Sequence, residues 1–149
     1  MKSEIKLSNA IDERIVSFIT SQTNLTIAVV ENKLPYCANC FYVYSEKGNA
    51  LIFKSKRSTL HIKMALNNSN VAGTIVADSL DKTRIQGVQY SGNIVHANAV
   101  CSEIDLNDYY LKFPWALVIP GELWVVKLKS IKFKDFSFSF RNKLEWKLC

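Results

Sequence analysis

Residues 122–133 read Glu122-Leu123-Trp124-Val125-Val126-Lys127-Leu128-Lys129-Ser130-Ile131-Lys132-Phe133. Trp124, Val126 and Leu128 are apolar at even positions, with Lys127 and Lys129 between them. After Ser130 the apolar residues, Ile131 and Phe133, fall at odd positions. Side chains alternate across a strand, so this change of phase would turn half the strand inside out. A bulge or corner at Ser130 restores a single inward face, as a curved sheet or barrel requires.

Working outward from that strand, the pattern is mostly β. Residues 25–31 are rich in β-branched side chains and end at Glu31-Asn32-Lys33. Residues 35–45 run to Glu46-Lys47-Gly48-Asn49, and 50–55 return. Residues 71–77 and 84–97 read as a hairpin around Asp78-Ser79-Leu80-Asp81, and 136–140 as a last strand. Near the N-terminus Ser8 or Asn9 is placed to cap a helix, and Asp12 and Glu13 suit its first turn. Ile11, Ile15 and Ile19 share a face of it, with Val16 and Phe18 beside them. A short helix is expected over 59–66, ended by Asn67-Asn68-Ser69-Asn70, and another near 103–112 ahead of Pro114. No repeat or composition break divides the 149 residues, so one domain spanning 1–149 is expected. The fold class is α+β, mostly β: a six- or seven-stranded antiparallel barrel with two or three short helices. An open sheet with helices on one face satisfies the same pattern.

A composition 48% hydrophobic and 21% charged excludes disordered and fibrous classes. The longest apolar run, 115–119, falls far short of the ~18 residues that a membrane helix needs. Met1-Lys2-Ser3-Glu4-Ile5-Lys6 lacks the apolar stretch of a signal peptide, so a cytoplasmic protein with no membrane partner is expected. Cys37, Cys40, Cys101 and Cys149 are too irregularly spaced for a disulfide framework. Cys37-Ala38-Asn39-Cys40 has redox spacing but lies within a strand pattern. Positions 37 and 40 then point to opposite faces, their sulfurs diverge, and both cysteines read as structural. His61 and His96 are too few for most zinc or triad constellations, and no nucleotide-loop, nucleophile-elbow or zinc-protease motif is present. No metal site is expected and no catalytic residue is assigned; His96, late in a long strand, reads as a surface or core histidine.

The net charge of +6 is unevenly spread. Residues 54–63 hold Lys54, Lys56, Arg57 and Lys63 and no acid, while 127–147 carry seven basic residues against two acidic ones. Two basic segments on a faintly acidic body suggest a local anion site, although solvated lysines that protect sheet edges look the same. The first segment, Phe53-Lys54-Ser55-Lys56-Arg57-Ser58-Thr59-Leu60-His61-Ile62-Lys63, carries more. A strand ends, a basic and hydroxyl-rich loop follows, and a helix starts at Ser58 or Thr59. Helix starts bind phosphate through unpaired N–H groups, and Ser55, Thr59, Lys56, Arg57 and His61 would complete a cradle. Asn39 shares a strand face with Phe41 and Val43, so its amide points to an apolar surface and needs a partner. That partner is either a neighbouring backbone group or the polar edge of a ligand.

An ordered set of residues now looks familiar: Cys37-Ala38-Asn39-x-Phe41-Tyr42, Thr59-x-His61, Val71-Ala72-Gly73-Thr74, and Gly87-Val88-Gln89-Tyr90-x-Gly92-x-Ile94. Phe113-Pro114, Trp124 and Ile131-Lys132-Phe133-x-Asp135 continue it. Together they resemble the pyridoxamine 5′-phosphate oxidase-like proteins, in particular a small bacterial branch, the YhbP group. The resemblance implies a split β-barrel that dimerises and binds FMN at the dimer interface, with the phosphate held after the third strand. By that resemblance Ser55, Thr59 and His61 match phosphate contacts, with Arg57 in the connecting loop. Asn39 falls where the oxidases place an arginine near the flavin, and Gln86 or Gln89 would reach the ring from the partner subunit. The chain departs from the oxidases in having Leu60 for an arginine and Lys134 for an aromatic. It also has His61 where many relatives use lysine, and Arg141 only loosely matches a C-terminal arginine. These departures argue against pyridoxamine phosphate as substrate.

The resemblance therefore implies an FMN-binding oxidoreductase acting on an unidentified small molecule, with NADH or NADPH as a candidate reductant. The alternative is a stress-response module that holds flavin or haem without turnover. A basic barrel with aromatic side chains also suggests single-stranded nucleic acid, but the aromatic stretches 40–44 and 136–140 do not interleave with 54–63. Trp115, Trp124 and Tyr90 could stack on a flavin ring, although aromatics in a small barrel more often fill its core or dimer interface. Trp115, Leu117, Val118 and Ile119 in one segment point to a homodimer.

Overall fold

The computed structural model describes residues 4–6, 10–100 and 104–149. Ser8 and Asn9 as caps, Cys101, and a helix start at Glu103 lie outside the described residues. The strands are β1 (Glu4–Lys6), β2 (Asn24–Glu31), β3 (Leu34–Ser45), β4 (Ala50–Ser55), β5 (Asn70–Val76), β6 (Arg84–His96), β7 (Glu122–Ser137) and β8 (Arg141–Lys147). The helices are α1 (Glu13–Ser21), α2 (Leu60–Asn67) and α3 (Asn107–Lys112), with 3-10 turns at Ala97–Ala99 and Pro114–Val118.

Strands run in the order β7-β4-β3-β2-β5-β6, and β6 pairs back onto β7, so six antiparallel strands close a ring. This is a barrel, and the open-sheet alternative falls. Outside the ring, β8 continues antiparallel from β7, and β1 lies parallel to β8.

The ring splits where the phase changes. Opposite β6, Ser130 pairs with Ser91 but Leu128 pairs with Gly92, which leaves Lys129 as the extra residue of a bulge. Before the bulge β7 pairs with β4, from Glu122↔Ser55 to Lys127↔Ala50; after it β7 pairs with β8, from Ser130↔Lys147 to Phe136↔Arg141. Gly92 makes the approach possible, because a Cβ there would run into the Lys127 carbonyl oxygen. Trp124, Val126, Leu128, Ile131 and Phe133 consequently all point into one core.

Two local expectations are corrected. Residues 136–140 are not a strand: β7 continues to Ser137, whose N–H donates to the Phe140 carbonyl at 2.8 Å to close a hairpin. Phe138 sits at its tip, 99% exposed. The last strand is β8, where buried Leu144 and Trp146 alternate with Lys143, Glu145 and Lys147. The cap of α1 is Asp12, whose carboxylate accepts from the Arg14 N–H at 2.9 Å. Both misreadings come from apolar or capping residues that sit one turn away from the element they appear to serve.

Helix α1 buries Ile15, Phe18 and Ile19 against the barrel, Phe18 meeting Phe133 at 5.3 Å between ring centroids. Each such side chain contributes roughly 1.5–3 kcal/mol. Helix α2 buries Ile62, Met64 and Ala65 in the same core and packs mainly on β2. A second cluster lies outside the ring, where Tyr109, Phe113 and Ala116 cover Ala50, Ile52 and Val125.

Candidate functional site

Strand β4 delivers Ser55 to the end of the barrel, the loop 56–59 turns, and α2 starts at Leu60. Ser55 Oγ lies 2.8 Å from His61 Nε2 and 3.4 Å from Thr59 Oγ1, and Thr59 Oγ1 lies 3.5 Å from the same imidazole nitrogen. Three of the expected phosphate contacts therefore meet at one point. Thr59 is the N-cap residue, yet its hydroxyl donates to the Lys56 carbonyl at 2.8 Å and forms no cap hydrogen bond. The first-turn N–H groups of α2 keep no side-chain cap, which suits an anion. Burial lowers the His61 pKa below the ordinary imidazole value, so the ring rests neutral.

Arg57 stands beside this cluster under a constraint the local sequence hides. The stretch 54–63 contains no acid, but Glu122 arrives from the start of β7, opposite Ser55 in register. Its carboxylate accepts from Arg57 Nε at 3.2 Å and holds His96 Nε2 at 3.0 Å on its other oxygen. The hydrogen bond from Arg57, then that from His96, keep the Glu122 carboxyl below the usual carboxylate range. The Arg57 guanidinium lies 5.3 Å over the Trp124 ring, against which His96 packs edge-on at 4.9 Å. Trp124 Nε1 donates to the Ser55 carbonyl at 3.0 Å and joins the two groups. His96 is thus a half-buried member of a Glu122 network.

The other expected cofactor residues sit elsewhere on the chain. Asn39 is exposed, and its Nδ2 donates to Asn24 Oδ1 at 3.0 Å, with Thr26 Oγ1 at 3.4 Å. The apolar surroundings expected for it are corrected: side chains of β2 supply its partner, and it lines a hollow of about 360 Å³ with Thr26 and Thr74. Gln89 lies on the outer face opposite Thr74 and Lys132. Gln86 pairs with buried Asp135 on the other face of β6, so the two glutamines diverge by strand parity. Arg141 lies over the Phe136 ring at the β7–β8 hairpin.

Trp124 and Tyr90 are buried core residues, Tyr90 donating to the Thr26 carbonyl at 2.8 Å. Trp115 is 49% exposed and packs on Phe41 and Phe113. Cys37 is exposed and Cys40 buried, and both are free, as strand parity required. Burial pushes the Cys40 thiol up to about 12, so it is inert. Among the described residues no group of acids, histidines and cysteines could hold a metal, and no helix is long and apolar enough to cross a membrane.

No protein-family model matches the chain. It is 33% identical over 129 residues to a UPF0306 protein of Yersinia pseudotuberculosis, covering 87% of this chain and 88% of that one. Among solved structures it is similar to a FAD-binding protein of Mesorhizobium loti, with a TM-score of 0.63 and 15% identity over 88% of this chain and 96% of that one. A haem storage protein of Vibrio cholerae matches with a TM-score of 0.59 and 11% identity over 80% of this chain and 91% of that one. These likenesses agree with the split-barrel fold.

Proposed function

The chain belongs to the UPF0306 family, and from that premise and its split-barrel fold we propose that it binds FMN as a homodimeric flavoprotein. The observation that carries the reading is the convergence of Ser55, Thr59 and His61 on an uncapped helix start. The Ser55 hydroxyl, the imidazole and the backbone N–H groups are donors a phosphate monoester needs, the Thr59 hydroxyl joins them by turning from the Lys56 carbonyl, and Lys56 and Arg57 add charge beside them. The FAD-binding neighbour supports a flavin on this fold. A bound flavin supplies the redox chemistry, while these residues bind its phosphate and orient it. The flavin's substrate is a small molecule, and NADH or NADPH is the reductant to try first. Gln89 of a second copy remains the candidate for the ring, since Asn39 already has partners on its own sheet.

Haem is the competing occupant, given the haem storage neighbour. Both imidazoles are engaged through Nε2, His61 with Ser55 and His96 with Glu122, so axial ligation through that atom would break a hydrogen bond. Titration of the purified protein with FMN and with haemin, followed by absorbance, separates the two. We expect the spectrum of a bound flavin and no haem band above that of a carrier-protein control; saturable haem binding without flavin binding would overturn the reading.

A further inference from the structure

The second basic segment is absorbed by none of this. On the outer face of the sheet, register places Val76, Gly87, Lys134 and Lys143 side by side on β5, β6, β7 and β8. The next row holds Thr74, Gln89, Lys132 and Glu145. Gly87 lacks a side chain in the middle of the first row, and the gap is the floor of a hollow of about 350 Å³. Its walls are Val76, Ile85, Gln89 and the three lysines. Neither Lys132, Lys134 nor Lys143 is in an ion pair or hydrogen bond among the described residues, and Glu145 is the one acid in either row. Like charges on adjacent strands repel, so the Lys134–Lys143 pair costs stability unless an anion sits between them.

We propose that this hollow is a binding site for a small molecule that joins a multiply charged anionic group, phosphate or carboxylate, to a compact apolar body. The ammonium groups take the anion, the Gln89 amide and Thr74 hydroxyl orient it, and Val76 and Ile85 cover the apolar part. The volume lies within the usual range for small-ligand pockets, about 300–1,000 Å³. The site shares no residue with the Ser55 cluster; Gln89 is common to it and to the flavin-ring reading above, so a flavin ring seated against a second copy would compete for it.

Glycine 87 makes the test selective. A Cβ there would touch only the Ile75 carbonyl oxygen, at 3.8 Å, and its backbone lies outside the left-handed region. Gly87→Val therefore projects a side chain into the hollow from a Cβ position that is free of clash, without changing charge. Binding of phenyl phosphate, phthalate and inorganic phosphate would be measured by calorimetry and by shifts of backbone and Gln side-chain amides. Phenyl phosphate or phthalate should bind more tightly than inorganic phosphate and shift Gln89; which of the two is tighter identifies the anion. Lys134→Ala and Gly87→Val should each weaken the binding read at Gln89 at least about fivefold, while Lys129→Ala leaves it unchanged. The proposal is overturned if Lys129→Ala has the same effect as Lys134→Ala, if Gly87→Val has none, or if the shifts map to Ser55 and Thr59 alone. Failure here leaves the phosphate half of the flavin reading intact, because the Ser55 cluster is probed separately.

Discussion

Arg57 carries a full charge beside the Ser55–Thr59–His61 cluster, and Glu122 holds it at 3.2 Å. Nothing in the sequence announces this contact, since 65 positions separate the partners and only the β4–β7 register joins them. The hydroxyls and the imidazole were legible because they fall within one short stretch, residues 55–61, at the end of β4, the loop and the start of α2. Releasing Arg57 should help an anion: Glu122→Gln is expected to raise FMN affinity about two- to fivefold, the worth of an exposed ion pair, in a low-salt fluorescence titration. A fall in affinity would mean that Glu122 positions the loop instead. His61 sets the pH response. Its folded pKa lies below the unfolded value, so the unfolded chain takes the proton first as pH falls. Its contribution to stability is present above about pH 6.5 and is lost as pH drops toward the folded value. Urea midpoints should therefore decline on acidification, and His61→Gln should flatten that decline. A bound phosphate reverses the preference by stabilising the imidazolium, so FMN affinity should rise between about pH 7.5 and 5.5 in the wild type but not in His61→Gln.

At the scale of elements, the long strand β7 was readable because its burial phase is a property of consecutive residues. Lys129, the extra residue between Leu128 and Ser130, had to form a bulge for Trp124 and Phe133 to share a core, and the bulge is where β7 exchanges β4 for β8. Strand β8 was missed although Leu144 and Trp146 alternate with charged residues, because the aromatics at 136, 138 and 140 mimic a strand of their own. Asn39 misled for a related reason. Val43 packs against the α3 cluster and the half-exposed Phe41 ring meets Phe113 and Trp115, whereas Asn39 lies beyond their edge among Asn24 and Thr26. The bulge makes a sharp prediction. Gly92→Ala forces a Cβ onto the Lys127 carbonyl and should destabilise the protein by about 1–3 kcal/mol or more in urea unfolding. Gly87→Ala, whose Cβ makes only an ordinary contact with the Ile75 carbonyl oxygen, should be near neutral.

The whole molecule leaves an apolar knuckle uncovered: Leu111 is 77% exposed, Leu117 67% and Val118 85%, beside half-exposed Trp115 and Ile119. That concentration is more than an isolated small domain usually carries. A two-fold symmetric dimer is expected in light scattering at micromolar concentration, and Leu117→Lys with Val118→Lys should shift it toward the 16.9 kDa monomer while the far-UV spectrum stays the same. The flavin reading depends on that assembly for the ring but not for the phosphate, which the Ser55 loop would hold within one protomer. The central claim is therefore tested most directly by titrating the wild-type protein with FMN and with riboflavin, which lacks the phosphate. FMN should bind about ten- to a hundredfold more tightly, the worth of one or two charge-assisted hydrogen bonds, and Thr59→Val should narrow the gap. Equal affinities for the two flavins, or no binding of either, would contradict the account.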